Sequence, residues 1–475
     1  MRQLKLFLFL ALLGVFLGSV QFSSSAITLQ RAGTNQIFLP IVFGTLPAPT
    51  LKVNVPFFNG DIQPSQTNQT AIFWFGRVYE TENYTDVRVG YTNEYLYVRL
   101  AIFDRQLWFD TTPSINDITS WDSAALYLNL DGNVGNSLTS NAYSFVGQLD
   151  WNEPNNEVAY QGSAGGWQEV SIPFTSGATW ASDGNGINDD SKPDRGWTLT
   201  YAIPYTSLEL TGAPAQGTFW GMAIVLHDRD DMNGTIQIPV KTWPPTISDT
   251  TPSSWAKLSF GLPSFNVPDI QPNGTTTIRH GLNGAVVKDG MVGGNFNCGA
   301  GLYSFGEWGE TNYSGAHQIN IQNQYNLADW PCFSKYYITF PLNDVPAGVQ
   351  ITSATLTMMH FSNAGGSNNP VNSLLQVSTI AGDWDEATLT WNNAPLAVEN
   401  INRIWVESIY NSPPVPRVWD VSQAVAEALS AGKPLRLVIY SADSDQHSGK
   451  YFISSDAGEP SADNRPTLTV NWANP

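Results

Sequence analysis

Short runs of apolar, β-branched and aromatic residues recur along this chain, each closed by turn chemistry. That pattern constrains the fold more than any other feature, because it reads as many short strands and almost no helix. Thr119 to Asn133 shows the unit: Trp121 and Asp122, an apolar strand from Ala124 to Leu130, then an Asp131-Gly132-Asn133 turn. Similar runs predict strands over 86–91, 95–103, 198–203 and 219–226, and again over 334–340, 353–359, 374–380, 435–440 and 467–472. Gly, Pro, Asn and Asp clusters separate them, as in β-sandwiches.

The chain has 475 residues, more than one core usually serves. The expected fold class is all-β: two β-sandwich, jelly-roll-like domains in tandem, with one short helix in the second. That helix falls on DVSQAVAEALSAG, with Asp420 as N-cap, Gln423 completing a capping box and Gly432 as the stop. Pro, Gly and Asn density after Phe260 marks a seam. The expected division is 1–26 signal peptide, 27–50 linker arm, 51–262 first sandwich, 263–279 linker and 280–472 second sandwich.

The first segment reads as an export signal, with Arg2 and Lys5 before an apolar core from Leu6 to Gly18 and a cleavage site after Ala26. The apolar core is short for a bilayer span, so the expected location is secreted, extracellular or at a cell surface, with no integral membrane span. The apolar run Ile37 to Phe43 in the arm suits docking on a partner or on the first sandwich. In an exported chain the two cysteines, Cys298 and Cys332, read as a disulfide. A net charge of −19 argues against nucleic acid as a partner.

Three tryptophans of the first sandwich, Trp121, Trp243 and Trp255, are candidates for sugar binding, with Asp122 beside the first. An indole stacks on the C–H face of a sugar while neighbouring polar groups read its hydroxyls. Taken singly, each Trp is as readily a core filler. Asp183, Asn185, the carbonyl of Ile187 and Asp189 alternate as ligands of Ca²⁺ do; such an ion would be structural, with no cofactor required. The run His227-Asp228-Arg229-Asp230-Asp231 either binds a cation or forms salt bridges at a rim.

The segment from about 55 to 261 resembles the family 9 carbohydrate-binding modules. The residues that carry the resemblance are Asn59-Gly60-Asp61-Ile62, Val87 to Val98, Trp121-Asp122 with the strand to Asp131, Ile203-Pro204-Tyr205, Leu226 to Asp230, and Ser253 to Gly261. The resemblance implies that Trp121 and Trp255 clamp a terminal sugar. The chain departs from it at Tyr127, where sugar-binding members carry a carboxylate. Residues 280–472 resemble the DNRLRE domain, related to disaggregatase repeats and to the family 96 carbohydrate-binding modules. Gly382 to Pro395, Trp419-Asp420-Val421-Ser422 and Asn464 to Val470 carry that likeness. It implies an accessory role beside polysaccharide enzymes, and in characterised members an alginate ligand held by basic residues, whereas this chain is acidic.

No nucleophile elbow, HExxH, P-loop or dinucleotide fingerprint is present. Acidic pairs such as Glu307 with Glu310, or Asp385 with Glu386, sit in no recognised catalytic motif. The expectation is a secreted non-catalytic protein that binds polysaccharide or oligosaccharide by Trp stacking, in support of polysaccharide catabolism. An adhesive surface protein that binds no free sugar is the alternative, and a glycoside hydrolase or lyase a weaker one.

Overall fold

In a computed structural model, residues 50–474 are described, apart from 151–152, 182–185, 190, 237, 295–304, 324–331, 366–368, 411–412, 444 and 446. Ala26, Asp183, Asn185 and Cys298 lie outside the described residues, and with them the expected cleavage site, half of the expected Ca²⁺ ligand set and one end of the expected Cys298–Cys332 bond.

The strands of the first half are β1 (Lys52–Val55), β2 (Ala71–Tyr79), β3 (Glu82–Tyr91), β4 (Tyr95–Phe103) and β5 (Ser123–Asn129). They continue with β6 (Ala142–Gln148), β7 (Glu157–Ser163), β8 (Gly166–Val170) and β9 (Thr175–Ala181). The half closes with β10 (Gly196–Pro204), β11 (Phe219–His227), β12 (Lys241–Trp243) and β13 (Ala256–Phe260). The second half begins with β14 (Gly274–Arg279), β15 (Lys288–Gly293), β16 (Gln318–Ile321) and β17 (Ser334–Phe340). There follow β18 (Gln350–Asn363), β19 (Ser373–Ile380), β20 (Ala397–Val406) and β21 (Val415–Asp420). The last three are β22 (Leu435–Ser441), β23 (Lys450–Ile453) and β24 (Thr467–Ala473).

These strands form three sheets. The middle sheet runs β2-β3-β4-β10-β9. A long sheet of 13 strands runs β15-β17-β22-β19-β20-β1-β13-β11-β5-β6-β7-β8, with β12 beside β11. A third sheet runs β14-β24-β18-β23-β16, with β21 beside β18.

Strand alternation assigns each sheet its faces. Phe73 and Phe75 of β2 join Leu126 and Leu128 of β5 in the core of the first sandwich. Ile72 and Trp74, on the opposite face of β2, pack with Tyr337 of β17 and Tyr440 of β22. The middle sheet is thus buried on both faces, between two stretches of the long sheet. Beyond the second stretch, the third sheet closes its own core around Leu356, Leu437 and Leu468.

The seam between the halves is polar as well as apolar. Arg88 is fully buried and donates to the carbonyls of Ala442 at 3.0 Å and Asp443 at 3.1 Å. Asp86 accepts from the hydroxyls of Tyr84 at 2.7 Å and Tyr440 at 2.8 Å. Lys335 is enclosed by aromatic rings, its Nζ 3.5 Å from the Trp391 ring centroid and 4.2 Å from that of Trp74. Burial holds its pKa well below the ordinary lysine range, against the pull of Asp86. The family-motif residues serve packing here: Trp384 and Trp391 are buried. Arg465 Nε donates to the Ala457 carbonyl at 2.9 Å and Nη1 to that of His280 at 3.1 Å.

Two α-helices are present among the described residues, α1 (Phe305–Glu310) and α2 (Ser422–Ser430), where the sequence predicts one. The first has six residues, including two glycines, too few to show a helical period. The second starts a residue later than expected. Val421 is the N-cap and no capping box forms; Asp420 Oδ1 accepts from Ser422 N at 2.9 Å, and the Gln423 amide turns to Glu427 at 3.0 Å. Gly432 has φ 62°, the left-handed conformation expected of the stop.

Candidate functional site

The core faces of β5 and β11 bury Ala124, Leu126, Met222 and Ile224. Their alternate residues therefore point to the far side of the long sheet. There Tyr127 stands between Ala223 of β11 and Ser144 of β6, Ser144 pairs with Tyr160 of β7, and Tyr160 with Glu169 of β8. Ala223 and Ser144 are small and buried, while Tyr127 and Tyr160 are partly exposed. Trp167, from the β7–β8 hairpin, is also partly exposed, its ring centroid 5.6 Å from that of Tyr127. The result is a row of aromatic rings over a floor of small side chains. Exposed carboxylates stand at its rim. Burial and then Asp249 push the Tyr127 hydroxyl up to about 12, and burial followed by Glu169 raises that of Tyr160. Both hydroxyls stay protonated near neutral pH, able to donate to a sugar oxygen.

The residues singled out from the sequence are placed differently. Trp255 is 1% exposed; its Nε1 donates to the Ser248 carbonyl at 2.9 Å, and its ring lies against Tyr127 with centroids 5.7 Å apart. Trp243 is likewise 1% exposed, stacked on Phe73 at 3.9 Å in the sandwich core. As placed, neither offers a free face, which corrects the expectation that both are sugar platforms. Asp122 is buried, with Oδ2 accepting from Trp108 N at 2.7 Å and Oδ1 from Arg229 N at 2.8 Å, so it orders the chain and reads no sugar hydroxyl. Trp121 is partly exposed, but the Arg229 guanidinium lies 3.8 Å over its ring. No ring contact joins Trp121 to Trp255 among the described residues. Of the expected Ca²⁺ ligands, Ile187 packs against the sandwich core and Asp189 accepts from Ser191 N at 2.8 Å.

Tyr127 was noted in the sequence as a departure and not as a site residue. Its outward position is legible in the alternation Leu126-Tyr127-Leu128. Trp167 and Tyr160 carry no such signal, because their neighbours on the face come from other strands.

A cavity of about 480 Å³ lies between the halves and is lined by Trp74, Arg77, Glu82, Lys241, Trp391 and Asn392. Its polar groups serve one another: Lys241 pairs with Glu82, and Asn392 Oδ1 accepts from Val78 N at 2.8 Å. Elsewhere, Asp289, Glu386 and Asp456 bring carboxylates within 4.8 Å. Burial and then Asp456 push Glu386 up to about 7. Burial raises Asp289 to about 6, against hydrogen bonds from Tyr336 and Ser455. These groups sit on the second sandwich and not on the aromatic face.

Residues 304–471 match the family model for carbohydrate-binding module family 96. Solved structures similar to part of the chain include a family 9 carbohydrate-binding module from Caldicellulosiruptor kristjanssonii in complex with cellotriose. It is 17% identical, with a TM-score of 0.32, over 46% of this chain and 100% of that one. The same module in complex with glucose is 15% identical, with a TM-score of 0.31, over 46% of this chain and 98% of that one. A comparison with curated protein sequences finds no match.

Proposed function

We propose that this is an exported, non-catalytic protein that holds polysaccharide on the outer face of β5–β8. The match of residues 304–471 to a carbohydrate-binding family supports carbohydrate binding by the chain, and the row of Tyr127, Tyr160 and Trp167 on the first sandwich supports its placement on this face. A sugar lying across that row would cover the rings with its C–H faces while Glu169 and Asp249 accept from its hydroxyls. The acidic rim favours neutral glycans over polyuronates.

Affinity electrophoresis against a panel of neutral and acidic polysaccharides tests this. Wild type is expected to be retarded by a neutral glycan, and Trp167→Ala and Tyr160→Ala to lose about 1–3 kcal/mol each, as truncation of a binding aromatic does. Equal retardation of wild type and both variants would remove the face from the site. Release of reducing ends from any glycan in the panel would overturn the non-catalytic reading.

A further inference from the structure

Among the described tryptophans only Trp180 and Trp405 are exposed, at 41% and 45%. Trp180 adjoins residues outside the described set. Trp405 stands on β20, paired along its length with β19. Ile404 and Val406 turn to the core of the second sandwich, so alternation turns Trp405 to the opposite face. There it sits across from Leu374 of β19, and two residues along the same face Arg403 sits across from Gln376. Gln376 Nε2 donates to the Thr70 carbonyl at 2.7 Å, and Arg403 Nη1 donates to that of Gln69. The first half thus covers this face at Arg403 and Gln376, while Trp405, next along, is left in solvent.

An indole held on a paired strand and left in solvent forgoes the stabilisation that burial would give it. Among the described residues no aromatic ring or cation lies over Trp405, whereas the Arg229 guanidinium covers Trp121. Polar groups flank the open ring. Asn372 lies two residues before Leu374 and Glu407 two residues after Trp405, so alternation puts both on its face. Ser408 N donates to Asn372 Oδ1 at 3.0 Å, which fixes that exposed amide and leaves its Nδ2 as a free donor. Arg417 Nη2 donates to the Glu407 carbonyl at 2.7 Å and anchors the backbone there, while the Glu407 side chain stays exposed.

We propose that Trp405, with Asn372 and Glu407, forms a second sugar-binding surface that takes a neutral polysaccharide segment on the second half of the chain. The proposal rests on the reading that this chain binds carbohydrate, and Trp405 lies within the segment 304–471 that matches a carbohydrate-binding family. The indole offers a platform to a C–H face of the sugar, the Asn372 amide donates to a hydroxyl and the Glu407 carboxylate accepts from one. Arg403 and Glu407 carry opposite charges, so the patch has no net charge to draw a polyanion. The row of Tyr127, Tyr160 and Trp167 points away from the middle sheet, whereas Trp405 points to the side of β20 that faces it. The two surfaces therefore lie on opposite faces of the long sheet, and one molecule can bridge two polysaccharide chains.

The test combines affinity electrophoresis with light scattering, using the full chain and hydroxyethyl cellulose, galactomannan and xyloglucan as probes. Wild type is expected to be retarded by at least one of them and to cross-link it into particles that scatter. Trp405→Ala is expected to weaken retention by about ten-fold and to abolish the cross-linking. Trp167→Ala should also abolish the cross-linking but keep the retention that Trp405 supplies. Asn372→Ala, at an exposed position, provides a second variant should Trp405→Ala fail to fold, and should weaken retention in the same direction. Unchanged retention and scattering in Trp405→Ala, with wild type retarded, overturns the second surface and leaves the first in place. Complete loss of retention in Trp167→Ala overturns it as well. A wild type that no probe retards overturns the carbohydrate-binding reading and this proposal with it.

Discussion

Trp255 and Trp121 have the same side chain and, in the sequence, the same candidacy, yet the structure gives them different energetics. Trp255 is enclosed by Tyr127, Leu138, Ala142 and Ala223. Trp255→Ala should therefore cost about 3–5 kcal/mol of stability, the range for removing a buried aromatic. Trp121→Ala should cost about 1 kcal/mol or less, chiefly its contact with Arg229. Urea unfolding of the two variants checks the order, and a larger loss for Trp121→Ala would reverse the assignment. Glu386 and Asp289 allow a pH prediction. Their folded pKa values are raised, so folding takes up protons between the unfolded and folded values, and their contribution to stability falls as pH rises from about 4 to about 7. Glu386→Gln should make that fall shallower, read as the difference in urea midpoint between pH 4.5 and pH 7.5. An unchanged slope would show that Glu386 titrates normally.

At the scale of elements, the seam in the long sheet is the narrowest link. β1 pairs with β13 in parallel over four residues, Lys52–Val55, but meets β20 only at Lys52 and Glu399. Side chains extend the join. Asn54 N donates to Asn400 Oδ1 at 2.7 Å, Asn54 Nδ2 to the Asn400 carbonyl at 2.8 Å, and Asn400 Nδ2 to the Asn54 carbonyl at 2.8 Å. Asn400→Ala would leave buried groups of Asn54 without partners, at a cost of about 1–3 kcal/mol in equilibrium unfolding. A loss within error of zero would mean that water replaces them. Strands with local signals were legible: the runs at 95–103 and 334–340 coincide with β4 and β17, and the all-β reading matches the structure. The Asn54–Asn400 join was not legible, because nothing in a four-residue strand names a partner 346 positions away. The same holds for the site. Alternation exposes Tyr127, but the burial of Trp255 depends on how the segment around Ser248 folds over the sheet.

For the whole molecule, the middle sheet is decisive, because its outer face shares a core with strands of the second half. Residues 264–475 expressed alone would bare the face of β17 and β22 that covers Ile72 and Trp74. The expected outcome is a fragment that binds hydrophobic dyes or oligomerises. The intact chain should give one calorimetric unfolding transition. Two well-separated transitions, one matching the isolated fragment, would show that the sandwiches are energetically independent.

The short strand β1 also bears on timing. It belongs to the earliest part of the sandwich to leave the ribosome, while Glu399, which both pairs with Lys52 in the sheet and binds its ammonium, is made 347 positions later. Because β1 waits for β13 on one side and β20 on the other, the long sheet cannot close until most of the polypeptide has been synthesised. That delay puts the joining of the two halves of the long sheet among the last steps of folding, after each flanking strand has a chain end to meet.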